Sequence, residues 1–151
     1  TDSYYDSQLV LVVKKGSKYA NATSLSDFAG AKVTAQLNTF HYSVIDQITG
    51  VDKQAAMDNF PAMRVALQAG TIDAYVSELP EALSAQAANS DFVMVKLTDG
   101  FKTSPEDTQT AVGVRKDSTL TKEINEALKT ISSEERQQIM QEAIKNQPAA
   151  E

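Results

Sequence analysis

The chain has 151 residues, of which 42% are hydrophobic and 23% charged. That is about one domain of ordinary globular composition, which excludes wholesale disorder. Fourteen Lys and Arg stand against 20 Asp and Glu, for a net charge of −6 without any basic run, which makes nucleic acid and anionic lipid surfaces poor partners. Cysteine is absent, which removes disulfides, thiolate nucleophiles and zinc–thiolate sites together.

In chain order, Leu9 to Lys15 is a continuous, β-branched-rich run that predicts a strand buried on both faces. Its apolar part, Leu9 to Val13, is the longest such run and is far too short to cross a bilayer. Ser24 to Asp27 reads as the capped start of one helical turn, stopped at Gly30. Lys32 to Gln36 is a second strand. Asn38 then offers a cap for a helix whose apolar face carries Phe40, Val44, Ile45 and Ile48 and which ends at Gly50.

Pro61 suits the first turn of the next helix, with Met63, Ala66, Leu67 and Ala69 inward and Gly70 past its end. Ile72 to Ser77 is a strand, Pro80 opens a helix reaching about Asn89, and Phe92 to Leu97 is another strand. Gly100 to Asp107 reads as a loop, and Thr110 to Lys116 as the last strand. Leu120, Ile124, Leu128 and Ile131 form one stripe of an amphipathic helix. Ser132 and Glu135 make a capping box for a final helix carrying Ile139, Met140, Ala143 and Ile144. Gln147 to Glu151 is a frayed tail. Strands alternating with helices predict an α/β fold with a mostly parallel sheet flanked by helices, and no internal repeat is present.

In such sheets ligands gather beyond the carboxyl ends of the strands. One junction there is Gln36-Leu37-Asn38-Thr39-Phe40-His41, where backbone N–H groups at a helix start suit a carboxylate and Thr39 adds a hydroxyl. The plainer alternative is that Asn38 or Thr39 only caps the helix. A second junction is Ser77-Glu78-Leu79-Pro80, where a carboxylate could accept from an ammonium group, or only complement its own helix. Together the two junctions suit a zwitterion. Catalysis has little support: His41 is the only His, no Gly-x-Ser-x-Gly elbow is present, and no Gly-rich phosphate loop or clustered metal ligands occur. A lone His near a helix start is better read as a helix-surface or pocket-lining residue. No metal or cofactor is expected.

Several stretches resemble the type II periplasmic-binding-protein fold, specifically the polar amino-acid-binding proteins of ABC importers. Ser3-Tyr4-Tyr5 followed by Leu9 to Lys15 is similar to that family's first hinge crossing into lobe two. Leu25-Ser26-Asp27-Phe28-Ala29-Gly30-Ala31-Lys32-Val33 resembles its L-x-D-L-x-G-K-x-V run, and Ala69-Gly70-Thr71-Ile72-Asp73-Ala74-Tyr75-Val76 its x-x-G-x-x-D-A-x-x run. Ala111 to Lys116 resembles the returning hinge strand. Tyr75 to Glu81 and the closing helix resemble the Gram-positive, lipid-anchored members most.

The resemblance implies a division into a first hinge segment, 1–8, with Tyr4 and Tyr5. Lobe two follows over 9–112. A second hinge strand with returning helices covers 113–147, with Val112 and Gly113 at the crossing, and 148–151 is tail. It implies that the first part of lobe one lies outside this chain, so that the returning helices dock differently, swap with a second copy, or rest on a separate N-terminal part. It implies a free amino acid as ligand, polar or cationic, held by Gln36, Asn38, Thr39, Phe40, Ser77 and Glu78. Asn38 stands where the family places Gly, a substitution that left-handed backbone tolerates. Glu78 stands where Asp is usual. The further implications are ABC permease subunits as partners and an extracellular location, anchored through an N-terminal lipoprotein segment or periplasmic. Two alternatives share the fold: a ligand-sensing regulatory domain, as in LysR-type effectors or sensor kinases, and a dehydratase-like enzyme.

Overall fold

A computed structural model describes residues 1–146. The predicted tail from Gln147 to Glu151 lies outside the described residues.

A five-stranded sheet forms the centre, in the order β4 (Asp52–Lys53), β3 (Lys32–Thr34), β5 (Ala74–Glu78), β2 (Leu9–Lys14), β6 (Phe92–Val95). β3 runs parallel to β4 and to β5, whereas β2 is antiparallel to both of its neighbours, β5 and β6. Four strands therefore point one way and β2 alone is reversed. Its apolar run is continuous for the predicted reason, since Val10, Leu11, Val12 and Val13 are all buried and strand side chains alternate between two covered faces. Leu11 and Val13 join Val33, Ala74 and Val76 beneath Phe28, Val44, Ile45 and Ile48. Val10, Val12 and Tyr75 pack on the opposite face against Met63 and Leu67 of α2 (Phe60–Ala69) and Ala82 and Ala85 of α3 (Leu79–Ala88). Each fully buried large side chain contributes about 1.5–3 kcal/mol.

Local signals in the sequence explain most boundaries. Asn59 caps α2 by accepting from the Ala62 N–H at 2.9 Å, and Gly70 ends it with φ +75°. The turn Leu25–Phe28 is a 3-10 helix whose Asp27 carboxylate accepts from the N–H groups of Thr23 and Ser24. α1 (Phe40–Val44) is only five residues long and passes into a 3-10 turn, Ile45–Gln47.

Beside the central sheet stands a two-stranded antiparallel ribbon, β1 (Ser3–Asp6) with β7 (Gln109–Ala111). The strand predicted over Thr110 to Lys116 is therefore shorter, starts earlier and pairs outside the main sheet. Its residues are exposed, so no buried face selected the longer extended run. The predicted loop from Gly100 to Asp107 contains most of α4 (Pro105–Thr108), started by Ser104 and Asp107. Four residues are too few to show a helical period. For the same reason β4, two polar residues long, left no pattern.

α5 (Leu120–Lys129) and α6 (Ser133–Lys145) close the described chain. Ser132 caps α6 by accepting from the Glu135 N–H at 3.2 Å. Their apolar stripes are present but uncovered: neither helix has a buried residue, and Leu120 and Ile139 remain 51% and 53% exposed. α6 lies against α3, and Arg136 ties the pair to the ribbon. Its guanidinium donates to the carbonyls of Ile131 (3.1 Å), Ser3 (3.2 Å) and Leu128.

Candidate functional site

The two junctions singled out in the sequence meet in space. β3 ends below the level reached by β5, because the β3–β5 register places Thr34 opposite Tyr75 and leaves Ser77 and Glu78 projecting beyond it. Chain leaving β3 bridges from Gln36 to Met57 and turns sharply at Asn38, where φ is +61°. Left-handed backbone at a non-glycine residue is unusual, and Asn bears it better than most because its short amide bonds locally. The turn delivers α1 over the end of β5, so that His41 Nε2 lies 3.1 Å from Glu78 Oε1.

This pair is the best-defined polar contact of the site. His41 is buried at 6% exposure, and its Nδ1 meets no protein partner. A proton on Nε2 therefore serves the carboxylate. Glu78 is half-buried, and its pKa is held below the ordinary value, first by the His41 hydrogen bond and with a smaller contribution from the Ser7 hydroxyl, against the opposing effect of burial. Tyr5 is close enough that burial, and then the Glu78 charge, raise the pKa of its phenol. On the β2 side, Leu9 is the register partner of Glu78 and the Leu79 N–H donates to the Gln8 carbonyl at 2.9 Å.

Other predicted residues stand as follows. Thr39 and Asn38 do not cap α1 with their side chains; instead the Thr39 hydroxyl donates to the Gln36 carbonyl at 2.8 Å, bracing the turn from inside. Gln36 donates to the Asp58 carbonyl at 3.2 Å and is drawn toward that loop. Phe40 packs partly on the core, its ring 4.4 Å from the imidazole of His41. Ser77 does not line the site. It is fully buried and bonded to Glu81, because adjacent strand residues face opposite ways and Glu78 takes the site side. Tyr4 and Tyr5 belong to β1, and Val112 and Gly113 follow directly on β7, where the Val112 N–H donates to Thr1 Oγ1 at 2.9 Å.

Two features were missed in the sequence. The first is the pairing of His41, expected at the helix surface or lining a pocket: it is buried against Glu78, and its spacing from Glu78 across two elements carries no local signature. A cavity of about 240 Å3 also adjoins the start of β2, lined among others by Ser7, Gln8, Leu9, Lys96, Phe101 and Thr103. It is smaller than the roughly 300–1,000 Å3 of enclosed ligand pockets. Among the described residues, no group of three His, Asp or Glu side chains is placed to hold a metal ion, and no helix is long and apolar enough to cross a membrane.

No protein-family model and no curated protein matches the sequence. Solved structures do. An amino acid ABC transporter substrate-binding protein from Streptococcus pneumoniae bound to L-arginine is 25% identical at a TM-score of 0.74, over 96% of this chain and 60% of that one. The arginine-binding protein of T. maritima, as its P235GK mutant, is 27% identical at a TM-score of 0.68, over 93% and 58%. An ancestral arginine-binding protein bound to glutamine is 26% identical at 0.67, over 94% and 61%. The chain thus spans about three fifths of the length of these proteins. Central sheet and flanking helices together give the chain the type II periplasmic-binding-protein fold of these amino acid ABC transporter substrate-binding proteins.

Proposed function

We propose that the chain is the second, ligand-holding lobe of a binding protein that captures a free amino acid and hands it to an ABC permease outside the membrane. It performs no catalysis in this reading. The observation that carries it is the meeting of the left-handed turn at Asn38 with the ionised Glu78 beyond the carboxyl ends of β3 and β5. Backbone N–H groups after Asn38 take the α-carboxylate, helped by Thr39 once its hydroxyl turns from Gln36. Glu78 takes the α-ammonium and gives up or shares its bond to His41. Such a charge-assisted bond contributes roughly 1.5–3 kcal/mol.

Arginine and glutamine are the first ligands to test, because two structural neighbours hold them and because the acidic site favours cationic or neutral side chains. The ribbon of β1 and β7, with Tyr4, Tyr5, Val112 and Gly113, acts as the hinge about which a further lobe closes. An extracellular location and a lipoprotein anchor belong to the same reading.

An NMR titration of the 151-residue chain with single amino acids tests the site. Saturable amide shifts at Asn38, Thr39 and Glu78 are expected, with a millimolar dissociation constant for one lobe. That is about 4 kcal/mol weaker than a micromolar two-lobed site. Saturation confined to other residues, or none with any amino acid, would remove this assignment.

A further inference from the structure

Behind Glu78, on the face of the sheet away from His41, lies a second polar cluster. Arg64 of α2 donates from Nε at 3.1 Å and from Nη2 at 2.5 Å to one oxygen of Glu81. The other oxygen accepts from Ser77 Oγ at 2.5 Å. Ser77 is fully buried, and the Arg64 and Glu81 side chains keep only 21% and 17% of their surface. Tyr75 stands beside them, kept neutral by burial and then by the charge of Glu81.

As a source of stability such a cluster is a poor choice. Desolvating a carboxylate and a guanidinium costs about as much as their attraction returns, and apolar side chains of equal volume often do as well. What the cluster supplies is connectivity. Its three members come from α2, from the end of β5 and from the first turn of α3, and the segment between Ser77 and Glu81 contains Glu78. Ser77 Oγ also lies 3.3 Å from the Glu78 carbonyl, and the Leu79 N–H is held from the other side by Gln8. The backbone at Glu78 is thus pinned fore and aft, which leaves only its side-chain torsions free. On the site side those torsions are met by His41 from α1, with Tyr5 of β1 nearby.

We infer that Arg64, Glu81 and Ser77 are positioning residues that fix the β5–α3 junction from behind and so aim the Glu78 carboxylate at His41 and at an incoming ammonium group. The ligand half of this inference rests on the function proposed above; the His41 half does not. Remote groups that hold a binding carboxylate in one pose matter because a small misplacement weakens a directional bond without abolishing it.

The test follows the Glu78 carboxyl carbon through pH in chain labelled with 13C-glutamate, assigned by its loss in Glu78→Gln. In the parent the midpoint lies below the ordinary glutamate value. Ser77→Ala removes one bond of the cluster. Arg64→Lys keeps the charge but loses the fork, and it sits at the less buried end if Ser77→Ala fails to fold. Both variants are expected to move the Glu78 midpoint upward and to weaken amino-acid binding about three- to tenfold, as for a misaimed rather than deleted charge-assisted bond. Lower melting temperature with an unmoved Glu78 midpoint would mean a structural role only and overturns the inference, as does a parent midpoint at the ordinary value. Should the parent bind no amino acid, the proposed function falls, while the midpoint comparison still decides the positioning role.

Discussion

Asn38 and Glu78 show how much single residues decide here. Asn38 holds φ at +61° in the turn that aims α1, a conformation that costs a residue with an ordinary side chain about 1 kcal/mol. Asn38→Ala should therefore lower stability by about 1 kcal/mol while Asn38→Gly leaves it close to the parent, as measured by urea unfolding. For Glu78 the folded state favours the ionised form, since its pKa is lowered from 4.5. The resulting stabilisation is complete above that value and is lost as pH falls through the lower, folded one. Replacing it in Glu78→Gln should flatten this part of the acid limb of stability, read as urea midpoints between about pH 6 and 3. The placement of both positions was legible in the sequence, because each sits where a strand end turns into a helix. Partnership was not. The His41–Glu78 contact joins residues far apart in the chain, and Ser77 faces the wrong way for the site because a strand end fixes sidedness only once its neighbours are known.

At the level of elements, legibility followed burial. β2, α2, β5 and α3 were readable because apolar side chains recur with the period of the face they bury. β7 and α4 were misjudged because they are exposed or very short, so that turn chemistry and a neighbouring strand decided their form. α5 and α6 are the converse: the period was right, yet no cover over their stripes could be read from it, and Leu120 and Ile139 stay exposed. What holds this pair is polar. The three carbonyls collected by Arg136 join the α5–α6 turn to β1. Arg136→Ala should speed amide hydrogen exchange across 120–145 and leave Val10 to Val13 protected; equal loosening of both regions would show that the helices and the sheet open as one.

For the molecule as a whole, the two apolar clusters share β2 and β5 and so should rise and fall together. Leu67 is fully buried in one of them, and Leu67→Ala should cost about 2–5 kcal/mol. Probes in either cluster should report the same shifted midpoint, whereas separate midpoints would mark two independently melting halves. The reversal of β2 bears also on how the sheet is first assembled. β2 precedes its partners in the chain, since they are the residues around Glu78 and Met94. The centre of the sheet therefore stays open until most of the lobe has been translated. Such distant pairing slows folding, and in the interval Leu9 to Val13 is a bare, uncharged strand of high β-propensity, the kind of segment that nucleates aggregates. Lys14, the last residue of β2, and Lys15 after it place two like charges against that run, where they act as gatekeepers for the nascent chain.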